Sequence, residues 1–163
     1  MNKFVGIGLL IIAALLGIVF MSNRGSQIRI DGSMKKVRMQ KLGDKSTMMV
    51  FDLRFSNPAD YPFIVADVTS TCTDKDGKEI TGELVTDADA KPIFDYYALT
   101  LGAKYNESLV RKSRVNPKTT EDRMIAMTYP VDPEVLTARK GCVLNVKDVD
   151  GAVSTIRETP AAP

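Results

Sequence analysis

The chain opens with one continuous hydrophobic segment and then changes to short stretches in which hydrophobic and polar residues alternate. No charged side chain occurs in residues 4–21. At about 1.5 Å of rise per residue, this segment forms about 27 Å of helix, close to the ~30 Å hydrocarbon core of a bilayer. The pattern therefore predicts an N-terminal transmembrane helix, which we assign to an anchor region at residues 1–24.

The residues that end the hydrophobic segment favour a retained anchor over a cleaved signal peptide. Cleavage requires small residues at alternate positions just past the apolar stretch. The exit from this stretch reads Val19-Phe20-Met21-Ser22-Asn23-Arg24, with bulky side chains where alanine is expected. No cysteine lies near this point, which argues against a lipoprotein anchor. A cleaved signal peptide followed by secretion, and a buried helix of a soluble protein, stay open as alternatives.

The distribution of positive charge leaves two orientations open. Lys3 precedes the hydrophobic segment, and the basic residues that follow it are Arg24, Arg29, Lys35, Lys36 and Arg38. A positive-inside count would keep the following domain in the cytoplasm. However, that rule applies to short loops, and a large domain is translocated largely regardless of its charge. We therefore predict a domain on the extracytoplasmic, periplasmic side, with the cytoplasmic orientation as the alternative.

Alternation after the anchor predicts about seven short β-strands. The clearest example covers residues 48–56, in which the hydrophobic Met49, Phe51, Leu53 and Phe55 alternate with positions that should face water. The other predicted strands cover residues 37–42, 63–73, 78–85, 123–129, 142–149 and 153–156. Short strands with turn residues between them are typical of an immunoglobulin-like antiparallel β-sandwich.

Residues 87–118, which we call the excursion, do not follow this alternation. Hydrophobic residues recur there at helical spacing, namely Ile93, Phe94, Tyr97, Ala98 and Leu101. Pro92 and Gly102 bracket this pattern and predict where a short helix begins and ends. A second short helix is predicted after Asp132, with Gly141 as its end. We therefore expect a mainly β domain with one or two short helices in an insertion.

The part of the chain after the anchor is long enough for one domain. We place a linker at residues 25–35, the β-sandwich at 36–158 and a disordered tail at 159–163. Lys and Arg total 22, Asp and Glu total 20, and the anchor region holds two of the basic residues, Lys3 and Arg24, but no acid. The remaining 20 basic and 20 acidic residues make the domain formally neutral, which argues against a nucleic-acid partner.

Two cysteines, Cys72 and Cys142, fall on predicted strands. Each shares its parity along the strand with hydrophobic neighbours, so both thiols should face the same core. In an oxidising compartment they would form a disulfide, whose contribution in the chain-entropy model is ~4 kcal/mol. Two unbonded, buried cysteines are the alternative.

The chain has no histidine, which excludes His-based catalytic triads and imidazole metal sites. Ser33 and Lys36 have the spacing of a Ser–Lys dyad, but they lie in a polar, basic stretch where the lysine would not be desolvated. The acidic turns that end at Gly77 and Gly151 have too few ligands at EF-hand spacing to predict a calcium site. We therefore predict no catalytic residue, no metal site and no cofactor.

Residues 51–63 have the sequence FDLRFSNPADYPF, an alternating strand followed by Asn57-Pro58 and by an aromatic residue that re-enters the core. This stretch resembles the signature strand of the water-stress and hypersensitive-response domain of type 2 late-embryogenesis-abundant (LEA-14-like) proteins. Residues 120–125 resemble bacterial membrane-tethered relatives with telokin-like or immunoglobulin-like folds, and the similarity extends over about residues 36–156. The resemblance implies a β-sandwich without catalysis that serves stress protection or envelope interactions.

The excursion also supplies a candidate partner surface. It combines four aromatic residues with a local basic cluster: Phe94, Tyr96, Tyr97, Tyr105, Arg111, Lys112 and Arg114. Aromatic and arginine side chains are frequent at protein interfaces. We therefore predict a non-enzymatic, membrane-tethered module for protein interaction or envelope and stress protection. A subunit of an envelope complex that uses both the helix and the domain is the alternative, and a Ser–Lys hydrolase of the membrane surface is a distant one.

Overall fold

The structure, a computed structural model, describes residues 12–18 and 29–158. Residues 12–18 are helical (α1), and their side chains are exposed. No helix within these two ranges is both long enough and apolar enough to cross a membrane. Much of the predicted transmembrane segment at residues 4–21, and the whole predicted tail at 159–163, lie outside the described residues.

Between residues 29 and 158 the chain forms nine β-strands and three short helices. The strands are β1 (Asp31–Gly43), β2 (Ser46–Ser56), β3 (Phe63–Thr73), β4 (Glu79–Leu84), β5 (Glu107–Ser108), β6 (Arg114–Val115), β7 (Thr120–Tyr129), β8 (Gly141–Asp148) and β9 (Val153–Arg157). The helices are α2 (Asp87–Tyr96), α3 (Ala98–Leu101) and α4 (Pro133–Thr137). Each strand predicted from alternation has a counterpart here, and the two-residue strands β5 and β6 are additional.

The strands form one curled sheet in the order β1-β2-β7-β4-β3-β8-β9, with β5 beside β7 and β6 beside β3. Neighbouring strands are antiparallel, except that β5 runs parallel to β7. The two ends of the sheet meet, since the Ile30 N–H donates to Ser154 Oγ over 2.8 Å and a Cβ at Gly32 would lie 2.5 Å from Ile156 Cδ1. The result is the mainly β, sandwich-like fold with short helices that the sequence predicts.

The strand β4 joins the two halves of the curled sheet. Its residues 79–82 pair with β3, and Glu83 and Leu84 pair with β7. Gly82 lies at this change of partner, where a Cβ would come within 2.7 Å of the Tyr129 ring. Because any side chain would push Tyr129 away, the crossing of β4 from one half to the other depends on glycine.

Both faces of β2 are buried over residues 47–53, which corrects the prediction that one of them contacts water; only Arg54 on that face is exposed. Phe51 and Phe55 lie in the inner core, between the two halves of the sheet. Met48 and Val50 lie in a separate set of buried residues, the outer cluster. The helices α2 and α3 cover the outer cluster and contribute side chains such as Phe94 to it. The excursion therefore supplies a second partner for β2, which alternation along one strand does not reveal.

The strand β1 begins at Asp31, so the prediction of a linker through residue 35 is wrong for the last part of that range. Asp31 pairs with Ser56 at the far end of β2, and the pairing continues along the strand. Residues 31–33 are exposed. This end of the strand is therefore held by main-chain pairing with β2 rather than by burial of side chains. Its polar composition gives no alternation signal.

Pro92 lies inside the helix α2, whereas the hydrophobic spacing predicts a helix that begins only after this proline. Thr86 caps the N-terminus, since its Oγ1 accepts a hydrogen bond from the Asp89 N–H over 3.2 Å. Acidic residues in the first turn also complement the helix dipole. These start signals extend the helix on the N-terminal side of the proline. The predicted end of the second helix is also wrong, because α4 stops at Thr137 and Gly141 begins β8.

Candidate interaction surface

A buried ion pair lies beneath the excursion, between β1 and β2. Arg38 and Asp52 form two hydrogen bonds, Nε to Oδ2 and Nη2 to Oδ1, both of 2.9 Å. Only 6% of the Arg38 side chain and 11% of the Asp52 side chain are exposed. This two-point geometry satisfies both charges, and removal of either partner would leave the other buried without compensation.

Arg38 also holds the excursion in place. Its Nη1 donates to the main-chain oxygens of Leu101 and Ala103 over 3.0 and 2.9 Å. Its guanidinium lies 5.2 Å from the centre of the Phe94 ring and 5.6 Å from that of Tyr105, within reach for cation–π attraction. Sequence reasoning missed this role because it treated Arg38 as one more basic residue after the anchor. The sequence does contain one indication of a buried ion pair, namely the aspartate Asp52 inside the hydrophobic strand β2.

Three large side chains are exposed on the segment that Arg38 holds. Tyr96, Leu99 and Tyr105 have relative exposures of 81%, 102% and 72%. We call these three residues the aromatic edge. The Tyr97 ring packs edge-on against Tyr96 with 4.8 Å between the ring centres, a favourable arrangement for aromatic pairs. The chain thus presents apolar surface on a segment whose main chain is fixed from below.

The structure divides the predicted partner surface into separate parts. Phe94 is only 3% exposed because it fills the outer cluster, so its assignment to the surface is corrected. Arg111, Lys112 and Arg114 have exposed side chains on the chain between β5 and β6 and on β6 itself. Arg114 lines a polar cavity of ≈450 Å³ together with Lys104. Arg114 of the basic cluster therefore borders a polar cavity, whereas the exposed apolar side chains belong to the aromatic edge.

A groove of ≈580 Å³ lies beside the excursion, at the point where β3 and β4 separate. We call it the β3–β4 groove. The residues that line it include Asp67, Val68, Thr69, Glu83, Leu84 and Arg111. Arg111 reaches across its border and pairs with Asp67, Nη2 to Oδ1, at 2.9 Å. The volume lies within the range of ligand-binding clefts, and sequence reasoning gave no indication of this groove.

The start of α2 is tied to the chain around β5. Asp87 accepts a hydrogen bond from Ser108 Oγ over 2.5 Å and pairs with Lys104 Nζ at 2.9 Å. The Ser108 hydrogen bond and the Lys104 contact lower the pKa of the Asp87 carboxyl below its ordinary value. These contacts fix α2 relative to the residues next to Tyr105.

Cys72 on β3 and Cys142 on β8 form a disulfide in the structure. They are register partners with Cα atoms 4.0 Å apart, and both side chains are buried in the inner core. Their shared parity with hydrophobic neighbours directs both sulfur atoms inward, because side chains alternate across a strand. The bond joins residues 70 positions apart in the sequence, so it ties an early strand of the domain to a late one.

The other motifs noted in the sequence take part in local structure. Ser33 is exposed on β1, where its Oγ donates to the Arg54 main-chain oxygen over 3.5 Å. Asp74 accepts hydrogen bonds from the N–H groups of Asp76 and Lys78 over 2.9 and 2.8 Å, which closes the turn between β3 and β4. Asp148, at the start of the β8–β9 turn, accepts a hydrogen bond from the Asp150 N–H over 3.4 Å and another from the Ile64 N–H on β3 over 2.8 Å.

The Asn-Pro motif that carries the family resemblance forms a structural corner. Asn57 is 1% exposed, and its Nδ2 donates to the main-chain oxygens of Tyr61 and Val115 over 2.9 and 3.3 Å. Its Oδ1 accepts a hydrogen bond from the Ala59 N–H over 3.0 Å. The side chain therefore closes the connection from β2 to β3 and ties it to β6.

No family model and no curated protein matches the chain. Among solved structures, the chain is similar to an uncharacterized β-sandwich protein from Clostridium difficile 630, known from a crystal structure at 1.90 Å resolution. The two share 14% sequence identity with a TM-score of 0.41, and the match covers 80% of this chain and 86% of that chain.

Proposed function

We propose that the protein is a non-enzymatic, membrane-tethered module that binds a partner protein through the aromatic edge. The observation that carries the proposal is the exposure of Tyr96, Leu99 and Tyr105 on a segment fixed by the buried pair of Arg38 and Asp52. Large apolar side chains held outside a core mark interaction sites, and aromatic residues contribute much of the binding energy at such sites.

The support beneath the aromatic edge distinguishes it from ordinary exposed residues. Val149 and Val153 at the β8–β9 turn are also exposed, at 57% and 43%, but single apolar side chains are common on any protein surface. The segment from Tyr96 to Tyr105 is instead held from below by Arg38 through two main-chain oxygens. A pre-organised segment loses less conformational freedom on binding, so more of its contact energy appears as affinity.

The aromatic edge fits a partner protein with an apolar depression that is bordered by polar groups. Tyr96 and Tyr105 each combine an apolar ring with a hydroxyl, so the ring can be buried while the hydroxyl bonds to the border of the depression. Leu99 adds a purely apolar contact.

The tether and its compartment are part of the proposal. The uncharged segment at residues 4–21 supports membrane attachment, and the bulky residues 19–21 support retention over cleavage. The bond between Cys72 and Cys142 supports an extracytoplasmic location, because disulfides persist in oxidising compartments. The immunoglobulin-like topology and the kinship with LEA-14-like proteins are proposed from the alternating strands and the Asn57 corner.

Site-specific photo-crosslinking tests the aromatic edge. A photoreactive phenylalanine analogue at Leu99 of the full chain, in membranes of the source cells, is expected to form one defined adduct with a partner protein. The same analogue at Val149, which is also exposed, should form none. Tyr96→Ala combined with Tyr105→Ala should abolish the Leu99 adduct, while the domain still unfolds in a single cooperative thermal transition.

Three results of this experiment would contradict the proposed surface. The first is equal adduct formation at Leu99 and Val149, and the second is survival of the adduct in the double tyrosine variant. The third is an adduct that contains only lipid or only a second copy of the chain.

For the compartment, a membrane-impermeant amine reagent should label the domain in intact spheroplasts. Protection equal to that of a cytoplasmic control protein would place the domain inside.

A further inference from the structure

One edge of β3 changes partners and leaves a short stretch without one. On this side, β3 pairs with β6 at Phe63 and Ile64 and with β4 only from Ser70 onward. Among the described residues, no strand pairs with positions 66–69 on this side, whereas β8 runs along the opposite side. An unpaired strand edge is a template for the addition of another strand.

Strand alternation directs the main chain of Val68 into the β3–β4 groove. The Asp74 N–H donates to the main-chain oxygen of Lys78, the residue before β4, so the Asp74 main chain points toward β4. In an antiparallel strand the N–H and C=O of every second residue point to the same side. At Cys72 and Ser70 these groups meet β4. At Val68, β4 has already turned toward β7. The N–H and C=O of Val68 therefore face the groove with no partner strand among the described residues.

Apolar side chains lie in the groove next to this edge. Leu84 of β4 and Val110 of the excursion line it, and both are partly exposed. An extended segment places alternate side chains on opposite faces. Main-chain pairing with Val68 and apolar contact with Leu84 and Val110 are therefore compatible in one bound segment, as in other cases of strand addition.

The charges at the groove select the kind of segment. Arg111 is neutralised by its pair with Asp67 at one border. Glu83 on the β4 wall is exposed and forms no ion pair with another residue in the range 29–158. The uncompensated charge among these groove residues is therefore negative, which complements a basic side chain.

We propose that the β3–β4 groove binds an extended, basic segment of a partner protein by strand addition to β3. The main chain of the segment pairs with Val68, an apolar residue contacts Leu84 and Val110, and a neighbouring lysine or arginine faces Glu83. This inference goes beyond the function proposed for the aromatic edge, because it names a second site and a partner recognised largely through its main chain.

A capped synthetic peptide of alternating valine and lysine is the probe, tested against the full chain in lipid nanodiscs. We expect saturable binding by fluorescence anisotropy and slower hydrogen exchange at the Val68 amide. A peptide with proline at its centre loses a main-chain donor, so its Kd should be about fivefold to tenfold weaker. A peptide with glutamate in place of lysine should also bind more weakly, because it is repelled by Glu83.

Two glutamates on β4 provide a matched pair of variants. Both are exposed, but Glu79 pairs with Thr73 outside the groove, whereas Glu83 lines it. We expect Glu83→Lys to weaken binding of the valine–lysine peptide about fivefold, and Glu79→Lys to leave it unchanged. Leu99→Ser should also leave peptide binding unchanged, which separates this site from the aromatic edge.

Absence of binding overturns the proposal, and so does equal binding of the proline peptide, because the main chain would then not be recognised. Equal losses in the two lysine variants would remove the role of Glu83 and overturn it as well. Protection of the Val68 amide without peptide that equals the protection of the Cys72 amide, which β4 covers, would show that the groove is already occupied. The occupant would be a second copy if protection rises with protein concentration and another segment of the chain if it does not, and either result overturns the proposal.

Discussion

The inner core and the outer cluster lie on opposite faces of β2 and are closed in different ways. The inner core lies between the two halves of the sheet and contains the disulfide of Cys72 and Cys142. The outer cluster is closed by two short helices and by the pair of Arg38 and Asp52. Strands and a disulfide hold the whole domain together, whereas helices and an ion pair hold only the excursion. Folding and the position of the aromatic edge are therefore expected to respond to different substitutions.

Phe51→Ala tests the inner core and is expected to have the largest effect on folding. Phe51 is fully buried, and such core replacements lower the free energy of unfolding by about 3–5 kcal/mol. Phe94→Ala removes the same side chain from the outer cluster, where the helices can detach locally. We therefore expect a smaller decrease for Phe94→Ala in urea unfolding. Equal decreases would show that the two clusters unfold as one unit.

Asp52→Ala tests the ion pair that closes the outer cluster. Breaking a buried pair lowers the free energy of unfolding by about 3–5 kcal/mol, because Arg38 is left buried without its partner. Asp122→Ala is the matched control, since Asp122 also bonds an arginine, Arg54, through two oxygens but on the exposed surface. We expect little effect there. Urea unfolding compares the two, and equal effects would mean that the Arg38 pair does not close the cluster.

Replacement of both cysteines tests whether the inner core can be weakened without any effect on the excursion. Cys72→Ala with Cys142→Ala should lower the free energy of unfolding by about 2–4 kcal/mol. Hydrogen exchange in α2 and α3 should stay unchanged under native conditions, because the disulfide lies in the inner core. Faster exchange confined to those helices would show that the inner core also positions the excursion.

Low pH is expected to destabilise the contacts that hold the excursion, and this is the smallest of the expected effects. The pKa of Asp87 is lowered from its ordinary 3.8 by the Ser108 hydrogen bond and the Lys104 contact. A lowered carboxyl pKa stabilises the folded state above the ordinary value, and this contribution is lost as the pH falls through the lowered one. The protection of residues 104–108 from hydrogen exchange, measured relative to the intrinsic rate at each pH, should therefore decrease below about pH 4. In Asp87→Asn the step should disappear, and its persistence would assign it to another group.

The strands were predictable from sequence because their signal is local. The predicted range 63–73 coincides with β3, which is bounded by Pro62 and by the Asp74 turn. The polar start of β1 was missed because pairing with β2, which carries no composition signal, holds it. The start of α2 was missed because the cap at Thr86 precedes the proline at which the hydrophobic spacing begins.

The candidate interaction surface was less predictable because its parts meet only in the folded chain. Tyr96 and Tyr105 were predicted to be exposed from their residue types, but burial separates them from Phe94, which was predicted with them. Arg38 and its main-chain contact at Leu101 are 63 residues apart. The β3–β4 groove has no sequence signal, because it arises where β4 exchanges one neighbouring strand for another.

Asn57 has a consequence for the chemical lifetime of the protein. Deamidation would replace its side-chain NH₂, which donates to Tyr61 and Val115, with an oxygen that cannot donate to them when ionised. Spontaneous deamidation usually begins when the main-chain nitrogen of the next residue attacks the asparagine side chain. Here that nitrogen belongs to Pro58, which has no N–H to lose. The corner therefore combines a vulnerable side chain with a neighbour that blocks its usual route of ageing.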